Sequence, residues 1–90
     1  MDLDNMITIR GRIPKKAKII EKSRKIILMV LIPTPHAPLD ISYIDVSQHG
    51  KEQVKASLTQ WAEGELIQVA FPYLTADERE RMLVPSFARL

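Results

Sequence analysis

The feature that most constrains this chain is the run Lys25-Ile26-Ile27-Leu28-Met29-Val30-Leu31-Ile32. After Lys25 it is apolar throughout, and four of its residues are Ile or Val. No polar residue alternates with them, so neither face of the run is suited to water. A short, uninterrupted, β-branched run predicts a central strand covered on both sides. A buried helix needs about ten or more residues, and Pro33 and Pro35 intervene first. Proline removes a backbone donor and restrains the residue before it. A membrane span needs about 20 apolar residues, so the run is too short for one. The basic residues ahead of it are not a signal-peptide flank, because the run is internal and no small-residue cleavage site follows.

The 90 residues predict a single domain, 1–90, with one modest core. There is no cysteine, which excludes disulfides, thiolate metal sites and cysteine nucleophiles. No targeting or membrane segment is visible, so the expected location is cytoplasmic, with no membrane partner.

The net charge of +2 hides an asymmetry. Residues 1–32 hold eight Lys or Arg against Asp2, Asp4 and Glu21, giving +5. Residues 33–90 hold five against eight acids, giving −3. The basic set is Arg10, Arg12, Lys15, Lys16, Lys18, Lys22, Arg24 and Lys25. Such a cluster is either a face for a polyanion or acidic protein, or a solvated surface whose lysines discourage edge-to-edge pairing.

Along the chain, Met6 to Ile13 alternates with period two. Ile7, Ile9 and Ile13 fall on one side and Thr8, Arg10 and Arg12 on the other, as in a half-buried strand. Gly11 marks a bulge or bend. Pro14 interrupts, and Lys15 to Ile20 resumes the strand after a kink. The first strand is therefore expected over about 6–20, with Glu21 to Arg24 connecting it to a second strand at about 25–32. Pro33 to Pro38 is a stiff loop containing one Pro-x-x-Pro match, and reads as a spacer. Leu39 to Ser47 is the expected third strand, with Leu39, Ile41 and Tyr43 on one face and Ile44 and Val46 on the other. That switch implies a bulge or a second buried face.

A helix follows over about 51–63, because Val54, Leu58, Trp61 and Ala62 share one face. Ser47 is the better capping type before it, Gly64 is its natural stop, and Trp61 is its core anchor. Glu65 to Phe71 fits either a strand (Ile67, Val69, Phe71) or a helix (Leu66, Val69, Ala70, Tyr73). Thr75-Ala76-Asp77-Glu78 matches a capping box, so a short helix is expected over about 76–83. Phe87 and Leu90 offer a segment that docks on the core or on a partner. The predicted class is α+β: a three-stranded antiparallel sheet, then two helices. An OB-like barrel is the minor alternative, since strand-strand-strand-helix is its opening order.

The segment from Trp61 to Arg79 resembles one found in small bacteriophage-encoded proteins. It carries Trp61, Gly64, Ile67-Gln68, Phe71-Pro72, Leu74-Thr75 and Glu78-Arg79 in that order. The resemblance covers about a fifth of the chain, and Glu80 to Pro85 departs from it. It implies a phage or mobile-element origin, a host-cell cytoplasm, and a helical Leu66 to Phe71. It implies no activity and no catalytic residue.

The residues themselves offer little catalytic chemistry. His36 and His49 lack any partner at ligand spacing, so no metal is expected. Asp40 and Asp45 point to opposite faces of a regular strand. Ser23, Ser42, Ser47, Ser57 and Ser86 lack a nucleophile-elbow context. Gly11, Gly50 and Gly64 are isolated, which removes phosphate loops. The expectation is a non-enzyme without cofactors. Its leading function is binding and modulating a host or phage protein, with homo-oligomerisation compatible. The alternative is sequence-nonspecific nucleic-acid binding by the eight basic residues. Against the alternative, the hairpin lacks the aromatics on which single-strand binders stack bases.

Overall fold

A computed structural model describes residues 6–11, 14–34 and 40–84. Four strands form one antiparallel meander in the order β1-β2-β3-β4. They are β1 (Ile7–Ile9), β2 (Lys15–Lys22), β3 (Lys25–Ile32) and β4 (Asp40–Asp45). A 3-10 turn (Ser47–His49) leads to α1 (Lys51–Ala62), α2 (Ile67–Ala70) and α3 (Ala76–Leu83).

The expected α+β order, sheet first and helices after, is present. The long, kinked first strand is not. The chain turns back between Ile9 and Lys15, so Ile7 pairs with Ala17 and Ile9 with Lys15. A reversal stands where a bulge or bend within one strand was expected, and the sheet gains a fourth strand. Arg12 and Ile13 lie outside the described residues, as do Pro35 to Leu39 and Phe87 to Leu90. The barrel alternative is also corrected. Its extra strand had to come from Glu65 to Phe71, which contains the helical turn α2 instead.

The β2–β3 hairpin is tighter than expected. Lys22 pairs with Lys25, leaving only Ser23 and Arg24 in the turn. Both have positive φ, 51° and 66°, the geometry that matches the twist of two-residue hairpins. In β4 the register against β3 runs without interruption from Asp40 to Asp45, so the expected bulge is absent.

One face of the sheet carries the core. Ile9, Ala17, Leu28, Val30, Ile32 and Ile44 are buried there, against Val54, Leu58 and Trp61 of α1, Phe71 and Leu74, and Met82 of α3. The Trp61 and Phe71 rings meet edge to face at 5.9 Å, a favourable quadrupole arrangement. Ser42 is buried with them. Its Oγ donates to the Arg81 carbonyl at 2.5 Å, which ties the C-terminal turn of α3 to β4.

Local signals set the helix ends. After α1, Gly64 adopts φ 106°. Its N–H bonds to the Trp61 carbonyl, and the Glu65 N–H to that of Gln60. This is a Schellman closure, for which glycine is preferred. Before α3 the capping box is complete: Glu78 N–H donates to Thr75 Oγ1 at 3.1 Å, and Thr75 N–H to Glu78 Oε1 at 2.9 Å. Ser47 does not cap α1. It accepts from the Ile26 N–H at 2.8 Å and donates to Asp45 Oδ1 at 2.6 Å, anchoring the chain as it leaves the sheet.

Candidate interaction surface

All three helices pack on one side of the sheet, so the other side has no cover among the described residues. The expectation that Ile26 to Ile32 is buried on both faces is therefore corrected. Leu28, Val30 and Ile32 are buried, whereas Ile27, Met29 and Leu31 point the opposite way and are only half-buried. β3 is central because strands flank it, not because layers sandwich it.

The registers place three cross-strand rows on this open face. Lys16, Leu31 and Ile41 form the first, Lys18, Met29 and Tyr43 the second, and Ile20, Ile27 and Asp45 the third. Ile41 is 46% exposed and Tyr43 56%. Lys22 and Lys25 sit opposite each other at the hairpin end. Six apolar side chains thus occupy the middle, with Lys16, Lys18, Lys22 and Lys25 along one side and one end. Asp45 stands at the β4 edge. Its carboxyl is held below the ordinary carboxylate range by the side-chain and backbone hydrogen bonds from Ser47, with a smaller contribution from Lys25.

The eight basic residues singled out in the sequence do not form one surface. Lys16, Lys18, Lys22 and Lys25 share the open face, by strand parity. Arg24 is in the turn and Arg10 is exposed just beyond β1. Lys15 falls on the helix-covered side, opposite Ile9, and its partial burial lowers its pKa. Arg12 lies outside the described residues.

Tyr43, Ile41 and Met29 were not recognisable from local sequence as surface residues. From sequence, Tyr43 is the one sheet aromatic available for base stacking and equally a core candidate. The available signal was the change of side along β4: Ile41 and Tyr43 fall on one face and Ile44 and Val46 on the other, so the two sets do not share one core face.

The other chemistry is structural. His49 packs against Tyr73 with ring centroids 4.4 Å apart and planes tilted by 44°, while the Tyr73 hydroxyl donates to Ser57 Oγ at 2.8 Å. Burial raises the Tyr73 pKa, opposed by that hydrogen bond. His36 lies outside the described residues. Among the described residues no group of three or more His, Asp or Glu is placed to hold a metal ion. Nor is any helix among them long and apolar enough to cross a membrane.

Comparison with known proteins finds no matching family model, curated protein or solved structure.

Proposed function

We propose that this is a non-enzymatic binding protein that docks another protein on the open face of its sheet, acting in the cytoplasm of a host cell. The observation that carries the reading is the uncovered apolar field centred on Met29 and Tyr43, with Ile41 and Tyr43 about half exposed. An apolar centre containing Tyr and Met, with charge along one side and one end, has the anatomy of a protein interface. The rim specifies the partner's chemistry. Four lysines edge the field, and Lys22 and Lys25 face each other across the hairpin, a like-charge pair that opposes folding. A partner with acidic residues around an apolar patch relieves that repulsion and buries the field. The phage-like segment from Trp61 to Arg79 adds, by association, a host or phage protein as that partner.

The test is capture from host-cell lysate with the wild-type chain and with an Ile41→Glu/Tyr43→Glu variant. A protein retained by the first and lost by the second, with the unfolding midpoint unchanged, supports the reading. Equal capture by both removes the open face from it.

A second reading has one observation in its favour. Lys18 and the exposed Tyr43 share a row, which offers a phosphate contact beside a base-stacking ring. Titration with single- and double-stranded DNA and RNA at two salt concentrations separates the two. Affinity that falls steeply with salt favours nucleic acid. We rank protein first because the field around this one aromatic is aliphatic.

A further inference from the structure

The second notable surface is a notch at the outer edge of β2, separate from the open-face centre. β1 pairs only with Lys15 to Ala17. From Lys18 to Lys22, no described residue continues the ladder on that side. About every second residue of such an edge presents its N–H and C=O outward. Beside the edge lies a groove of about 370 Å³, lined by Ile7, Lys18, Ile19, Lys51, Lys55 and Leu58. Its apolar floor is Ile7, Ile19 and Leu58. Lys51, Lys55 and Leu58 form one stripe of α1, at helical spacing. Lys51 is engaged by Glu21 at 2.5 Å, while no described carboxylate lies within ion-pair distance of Lys18 or Lys55.

We propose that this notch binds an extended segment of a partner protein by strand addition to β2, and that the segment alternates apolar and acidic residues. Each part of the pattern follows from the notch. The edge, unpaired among the described residues, demands an extended backbone and supplies its hydrogen bonds, while alternate side chains supply selectivity. Side chains on the α1 side meet Ile7, Ile19 and Leu58 and are apolar. Side chains on the other side meet Lys18 and Lys22 and are acidic, and Lys55 at the rim of α1 adds a further cation. Period two is therefore imposed by the strand itself. Lys18 and Lys22 also edge the open face, but strand addition rests on the β2 backbone and the α1 stripe and not on the apolar centre at Met29 and Tyr43, so it does not depend on the open-face reading.

The experiment titrates isotope-labelled full-length chain with a capped Glu-Ile-Glu-Ile-Glu peptide, and separately with Lys-Ile-Lys-Ile-Lys. Amide shifts clustered at Lys18–Lys22 and Lys51–Leu58, from the glutamate peptide alone and weakened by salt, are expected. A Lys18→Glu/Lys55→Glu variant is expected to lose about tenfold in affinity with its unfolding midpoint unchanged. Absence of shifts at those amides, or equal shifts from the lysine peptide, overturns the proposal. Shifts confined to the open face and abolished by Tyr43→Glu overturn it too, while leaving the open-face reading intact. The chain's own Asp2-Leu3-Asp4 has the same alternation, so a chain starting at Met6 is titrated in parallel. Binding seen only in that shorter chain overturns the partner in favour of the chain's own segment.

Discussion

Tyr43 stands directly opposite Met29 in the β3–β4 ladder, on the side of the sheet that no described helix covers. The pair forms the centre of an apolar field rather than part of the core. Replacing Tyr43 with Glu is therefore expected to change unfolding free energy by only about 0.5 kcal/mol while abolishing partner capture. Denaturant unfolding checks the first part and affinity capture the second. A large loss of stability would mean that Tyr43 is packed after all.

The opposite expectation holds for Phe71. It is fully buried and meets both Trp61 and Tyr73 edge to face, with centroids 5.9 and 6.1 Å away. Phe71→Ala leaves a cavity between the helices and is expected to cost about 3–5 kcal/mol. Val69, exposed on the same short segment, is the internal control. Val69→Ala is expected to stay within about 0.5 kcal/mol. Denaturant midpoints at constant slope distinguish the two.

Lys22 and Lys25 test the charge logic of the open face. They are cross-strand neighbours at the hairpin end, and like charges placed so are destabilising. Lys22→Glu converts the repulsion to attraction and is expected to stabilise the fold by roughly 0.2–1 kcal/mol. The same change is expected to weaken an acidic partner. Thermal unfolding at low and high salt reads the first effect, and high salt should diminish it.

Acid stability is expected to depend on Asp45. Its folded-state pKa is depressed by the hydrogen bonds from Ser47. A depressed carboxyl contributes stability above its unfolded pKa, about 3.9. That contribution is lost as pH falls through the lower folded value. Unfolding followed from neutral pH into acid should show this loss, and Asp45→Asn should remove that part of the acid limb. An unchanged acid limb in the variant would assign the effect elsewhere.

The parts of the fold legible in the sequence are those set by neighbours in the chain. The capping box at Thr75 and Glu78, the stop at Gly64 and the burial of Trp61 depend on residues within one or two turns. The division of 6–20 into β1 and β2 was not legible. Ile7 and Ile9 alternate whether the chain continues after Pro14 or doubles back, and only the pairing of Ile7 with Ala17 decides. The open face was hidden for a different reason. An all-apolar β3 satisfies a strand buried on both sides and equally one with a hydrophobic docking face. The change of side between Tyr43 and Ile44 pointed to it, but a bulge explains that change equally well, and only the uninterrupted β3–β4 register excludes one. Of the candidate surface, the lysines were found by charge alone, while the apolar centre that they surround was assigned to the core.

Ser42 also supplies the last prediction. Its hydroxyl is buried and donates to the Arg81 carbonyl, in the last turn of α3. Ser42→Ala removes that donor from the carbonyl, at an expected cost of about 0.5–1.5 kcal/mol. Ser42→Val fills the space with methyl groups but restores no donor, so it should not recover the loss. α3 touches the sheet at β3 and β4, so amide hydrogen exchange should accelerate first in Ala76–Leu83, ahead of β2 and α1. Uniform acceleration across the chain would show instead that α3 unfolds only with the whole domain, and that the Ser42 bond stabilises the fold globally rather than the docking of one helix.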